Sequence, residues 1–224
     1  VVSNLYRPLL LAWLLCTAAA NSLAADSAAS GPRPPDEAIA TANEHLLRGR
    51  YEEAEALFRP HAATPPGAIG VARCCLATGR VNEATKTLLN ALAHHESDAT
   101  LHAELALVGL ETGDLNVAER ESTESLKLDA NCLTGRWVAA ELLRMSGKLP
   151  EAERAYGWFI DRQRQLAGQR ESLDARSLRW IGLAAAQHAR WTRNHRLFST
   201  LVNDLYPSAL KADKGYWPAH LETA

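Results

Sequence analysis

The chain has 224 residues, of which 47% are hydrophobic and 22% charged, with a formal net charge of −2. That balance is ordinary for a folded protein with a buried core and indicates neither a disordered chain nor a membrane bundle. A dedicated nucleic-acid binder would carry a strongly basic domain to neutralise phosphates, so the charge argues against a nucleic-acid partner.

Residues 1–25 stand apart: Arg7 precedes the apolar run "PLLLAWLLCTAAA", which leads into the small-residue stretch "NSLAADSAAS". This is the order of a secretory signal peptide, with cleavage expected after Ala24 or Ala25. The protein is therefore expected to be exported, to a periplasm or cell envelope. The apolar run is shorter than the roughly 20 residues that span a bilayer as a helix, so contact with a membrane is expected only if this segment stays uncleaved. Residues 26–36, rich in Ser, Ala and Pro, read as a linker. Beyond the signal lie Cys74, Cys75 and Cys132, with no spacing suited to a disulfide framework or a metal knuckle. They are expected to be small buried helix residues.

A repeat begins near residue 37. Gly49, Gly79, Gly113 and Gly147 each lie seven residues after one Ala and five before another: Ala42 and Ala54, Ala72 and Ala84, Ala106 and Ala118, Ala140 and Ala152. Between these anchors the apolar residues recur at helical period, so each copy reads as helix, glycine turn, helix. Glycine ends the first helix where the chain must pass through a left-handed conformation without a Cβ penalty. The apolar residue two positions later (Tyr51, Val81, Leu115, Leu149) is expected to pack as the second helix starts. The paired alanines let the two axes come close. One such hairpin cannot bury its apolar face, so copies must stack into a solenoid. In the first copy Pro60 falls inside the second helix, which is expected to end a turn early.

This frame resembles the tetratricopeptide repeat. The 34-residue spacing from Gly79 to Gly113 and from Gly113 to Gly147 equals that family's period, and Phe58 and Tyr156 match its aromatic after the second small residue. Leu88 and Ser122 replace that aromatic in the middle copies. The resemblance covers residues 37–166 and implies an all-α antiparallel helix-hairpin solenoid, a right-handed superhelix of four clear repeats. Residues 167–214 read as a degenerate fifth helix pair with no glycine at its turn, and 215–224 as the start of a truncated sixth repeat. An apolar end left uncapped there would suit a fragment, a covering partner or self-association.

No familiar catalytic motif is present, and neither catalysis, a cofactor nor a metal is expected. His94, His95 and His102 lie near Glu96 and Asp98 but straddle an inter-repeat loop, where they are expected to be solvated. Arg162, Arg164, Arg170, Arg176, Arg179, Arg190, Arg193 and Arg196, interspersed with Trp180 and Trp191, are expected to be the charged face of surface helices.

The resemblance further implies that the first helix of each repeat lines a concave groove, at positions six and two residues before the glycine. Here these are Asn43 and Leu47, Arg73 and Ala77, Leu107 and Glu111, and Glu141 and Met145, with Trp137 one turn earlier in the fourth copy. The Lys and Asn ladder that clamps a C-terminal carboxylate is missing. The mixed groove suits an extended peptide or helix of a partner protein. The expected function is an exported protein-interaction module; the alternative is the N-terminal recruiting region of a larger exported enzyme with its catalytic domain beyond residue 224.

Overall fold

The structure is a computed structural model that describes residues 35–168 and 175–200. The expectations for the signal peptide, nearly all of the linker and the truncated last repeat fall outside those residues. Among the described residues there are ten α-helices and no strand. They are α1 (Pro35–Leu47), α2 (Tyr51–Phe58), α3 (Pro65–Ala77), α4 (Val81–Leu92), α5 (Ala99–Thr112), α6 (Leu115–Leu128), α7 (Leu133–Met145), α8 (Leu149–Gly168), α9 (Ala175–Thr192) and α10 (His195–Thr200). Odd-numbered helices are the first of each pair and even-numbered helices the second.

The glycine turns form as the spacing predicts. Gly49, Gly79, Gly113 and Gly147 take φ of 74°, 76°, 80° and 75°. In three of them the amide after the glycine reaches back across the helix end: Arg50 to the His45 carbonyl at 2.9 Å, Arg80 to Cys75 at 2.8 Å and Lys148 to Leu143 at 3.0 Å. These bonds satisfy carbonyls that the helix leaves open. Helix starts are also held by side chains. Asp98 accepts the amides of Thr100 and Leu101, both at 2.9 Å, and Asp114 accepts that of Val117 at 3.2 Å.

The last pair keeps the same turn without the glycine. Arg193 takes φ 52°, and the Asn194 amide reaches the Ala189 carbonyl at 2.9 Å. The bond pattern of the hairpin thus outweighs the strain on a side-chain-bearing residue.

All eight anchor alanines are buried at 0–1% exposure. Phe58 and Tyr156 fill the position four residues after the second Ala and are fully buried, as are Leu88 and, nearly so, Ser122 in the copies that lack the aromatic. In the copy with the small Ser122 the two helices approach closely: a Cβ on Gly109 of α5 would lie 2.8 Å from the Ala118 amide nitrogen of α6. The core forms two clusters. The first joins copies 1 and 2 to Leu101, Leu105 and Val108 of α5, and the second joins Ala106 and Leu107 of α5 to α7, α8 and α9. Helix α5 is therefore the wall that both clusters share.

Two local departures have physical causes. Helix α2 is only 8 residues long and passes into a 3-10 turn over Arg59–His61. Pro60 has no amide to continue the ladder. Leu115 and Leu149, expected to pack as their helices start, are instead 38% and 51% exposed, whereas Tyr51 and Val81 are half-buried against the first cluster. Tyr51 and Val81 follow the same glycine turn, so the turn itself does not set the exposure; the first cluster reaches those two residues, and neither cluster takes in Leu115 or Leu149.

Candidate interaction surface

Among the described residues the first helices of successive pairs pack on one another, α3 on α5, α5 on α7 and α7 on α9, while α2 and α4, second helices of the first two pairs, meet through ion pairs. The first helices from α3 to α9 thus form one continuous row. Except for Asn43 and Leu47 on α1, the positions singled out from sequence lie along it, but their side chains differ in what they are free to do.

Arg73 on α3 is half-buried and forks onto Glu104 of α5, with Nε 3.2 Å from Oε2 and Nη2 2.8 Å from Oε1. Glu104 is 2% exposed, so this charge-assisted pair bridges two copies from within the packed layer. Glu141 on α7 is buried as well. It accepts both Nε and Nη2 of Arg144, at 3.1 and 2.6 Å, and the hydroxyl of Tyr156 on α8. Burial pushes the Tyr156 hydroxyl well above its usual range, helped by the Glu141 carboxylate, so it stays a donor. Trp137, half-buried, packs on Tyr156 (centroids 5.9 Å apart) and on Trp180 of α9 (5.2 Å), and Trp191 meets the Tyr156 ring edge-on at 5.5 Å. Leu107 is 6% exposed and belongs to the core.

Three of the expected positions are exposed: Ala77, Glu111 and Met145, the last at 50%. The Glu111 carboxyl is nevertheless pushed above the usual range, first by partial loss of water and then by Glu104, with Arg179 of α9 acting the other way. Asn43 is half-buried, and Leu47 likewise. The structure therefore gathers Trp137 and Glu141 around Tyr156 and ties Arg73 to Glu104. Asn43 stands alone in the first copy.

Sequence reasoning missed Glu104, although a single acid inside the apolar run "LHAELALVGL" was the available signal. It also missed an ion lattice between copies 1 and 2. Glu55 of α2 accepts from Arg59 and Arg80, and Arg80 also reaches Glu83 of α4 at 3.0 Å. The Arg80 hydrogen bond, opposed by burial and assisted by Arg59, holds the Glu55 carboxyl below the usual range. Ligand atoms of Glu55, Cys75 and Glu83 lie within 4.8 Å of one another. Both carboxylates already hold guanidinium groups, and burial pushes the Cys75 thiol up, so the donors suit this lattice better than a metal.

The histidine loop is less open than expected. His102 is only 14% exposed and His95 Nε2 lies 3.2 Å from the Ala63 carbonyl. In the arginine-rich segment Arg162 meets Gln165 at 2.9 Å and Arg164 meets Asp161 at 3.3 Å, both on exposed surface, while the Arg179 guanidinium lies 5.5 Å from the Trp180 ring centre. Arg170 lies outside the described residues. No described helix is long and apolar enough to cross a membrane.

No family model matches the sequence, and no curated protein does. Solved structures do. The human IFIT1 dimer with PPP-AAAA superposes with a TM-score of 0.55 at 17% identity, over 85% of this chain and 45% of that one. A monomeric IFIT1 mutant with m7Gppp-AAAA gives 0.52 at 18% identity, over 85% and 46%. The crystal structure of MamA protein gives 0.44 at 12% identity, over 80% and 92%. This chain thus spans about half the length of the IFIT1 chains it matches. The glycine-hinged hairpins, the alanine contacts and the IFIT1 likeness together give the chain the fold of the tetratricopeptide-type helical solenoids.

Proposed function

We propose that the chain is a protein-interaction module that takes an extended peptide or helix of a partner along its row of first helices. We further infer, from the apolar run near its N-terminus, that it acts after export in a periplasm or cell envelope. One observation carries the reading of the surface. The inward charges Arg73 and Glu141 are already clamped by Glu104, Arg144 and Tyr156, while Glu111 and Met145 stand open beside them. A surface held in place before binding loses little freedom on binding, which suits recognition by shape. The net charge of −2 favours a protein partner over a nucleic acid.

The test is recovery of partners from an envelope extract on immobilised wild type and on a Glu111→Lys, Met145→Asp variant. Both changes fall on exposed side chains, and circular dichroism checks that the helices remain. Loss of wild-type partners supports the surface; equal recovery of all of them overturns it.

A further inference from the structure

His102 lies on the first turn of α5, and both of its ring nitrogens face oxygen. Nδ1 is 2.7 Å from Oε2 of Glu121 on α6, and Nε2 is 3.0 Å from the backbone carbonyl of Glu96 in the loop 93–98 that joins copies 2 and 3. A carbonyl oxygen and a carboxylate only accept, whereas a neutral imidazole offers one donor and one acceptor. Both contacts are hydrogen bonds only if the ring carries both protons, or if Glu121 is protonated and donates to Nδ1. Arg120 opposes the second arrangement, because its Nε donates to the other Glu121 oxygen at 2.8 Å and favours the charged carboxylate.

We propose that His102 is a proton-operated latch: as the imidazolium it ties the 93–98 loop to α6, and loss of one proton opens one of the two ties. Deprotonated at Nε2, the ring turns a lone pair toward the Glu96 carbonyl. Deprotonated at Nδ1, it turns one toward the Glu121 carboxylate. In the unfolded chain water satisfies either form of the ring, so only the folded state tells them apart. The latch is closed while the ring holds both protons and opens when a rise in pH removes one.

Other charged groups bear on the ring. From α6 these are Glu121, Arg120 and Glu124, the last of which holds Lys127 at 2.8 Å and feels His102 through space. The loop itself carries His94, His95 and Asp98, whose carboxylate is occupied with the first amides of α5. His95 is the rival source of any pH response, since its own Nε2 faces the Ala63 carbonyl.

The experiment is amide hydrogen exchange of the whole chain between pH ~5.5 and ~8, corrected for the intrinsic pH dependence of exchange. The Asp98 amide, bonded to the His95 carbonyl at 3.1 Å, reports loop order. Its protection is expected to fall about fivefold across that range, the equivalent of one net hydrogen bond. His102→Gln should abolish the fall, and His95→Gln should leave it. Glu121→Gln keeps the shape of the site but lets the amide donate to a neutral Nδ1, so protection should persist at high pH. Ring-nitrogen NMR of wild type at the acid end should show both nitrogens protonated. An undiminished fall in His102→Gln or Glu121→Gln, or its disappearance in His95→Gln, overturns the latch.

Discussion

Gly70, in the middle of α3, offers a test in which helix propensity and packing demand opposite signs. A Cβ built there would lie 2.3–2.4 Å from three ring atoms of Phe58, whereas ordinary contact begins at 3.4 Å. Phe58 is fully buried, so its ring can move only by displacing core neighbours. Forcing a methyl into a filled core costs about 1–3 kcal/mol. Replacing a mid-helix glycine with alanine would by itself gain about 1 kcal/mol. With a shortfall of about 1.1 Å against an aromatic ring the packing cost should win, and Gly70→Ala is expected to lose about 1–2 kcal/mol. Urea unfolding followed by far-ultraviolet circular dichroism measures this directly. A smaller residue across the contact provides the control: Phe58→Leu leaves room for the methyl, so the double variant should be more stable than the sum of the singles by about 1 kcal/mol or more. Gly70→Ala as stable as wild type, or strict additivity in the double variant, would refute the claim that α2 and α3 meet through this ring.

The remaining expectations concern the turns, the ion lattice and the thiols. Gly113→Ala should cost about 1 kcal/mol from backbone strain alone, since φ is +80° and a Cβ there meets nothing within 4 Å. Arg193→Gly should shift stability the other way by up to about 1 kcal/mol, because that turn now strains a side-chain-bearing residue. Glu55 is held low by Arg80, so it stabilises the fold above the usual carboxylate range and loses that effect on acidification. The stability gap between wild type and Glu55→Gln should therefore close as pH falls from about 5 toward about 3. Burial pushes the Cys74 thiol up to about 12 and raises Cys75 also, so both should resist a thiol reagent at about pH 8 until the chain is unfolded by urea. Rapid labelling of either thiol in the native protein would show that the first core cluster opens readily.

Much of the fold was legible because its determinants are local. The twelve-residue frame from Ala to Gly to Ala places a turn and two close contacts within one hairpin, and Pro60 carries its consequence on its own backbone. The turn at Arg193 was less legible: the second helix docks there whether or not glycine is present, and no residue type announces it. The surface was least legible. Arg73 and Glu104 lie 31 residues apart, and Arg80 and Glu55 lie 25 apart. A repeat position says which face a side chain occupies, but it does not say which charge from the neighbouring copy will meet it. That is why Glu141, expected to select partners, proves to be held by Tyr156 and Arg144. Leu115 and Leu149 show the same limit, since apolar character alone did not tell which turn would have a neighbour to cover it.

The short second helix of the first copy bears on how such chains change length. Gly49 and Gly79 are four residues closer than the later glycines, which is close to one turn at 3.6 residues per turn. Removing nearly a whole turn leaves every following side chain pointing in almost the direction it had before. A gap of two would swing them to the opposite side and expose the alanine seam. Insertions and deletions in these helices should therefore be tolerated in quanta of three or four, and evolution and protein engineers alike can trim or extend one hairpin without re-indexing the rest.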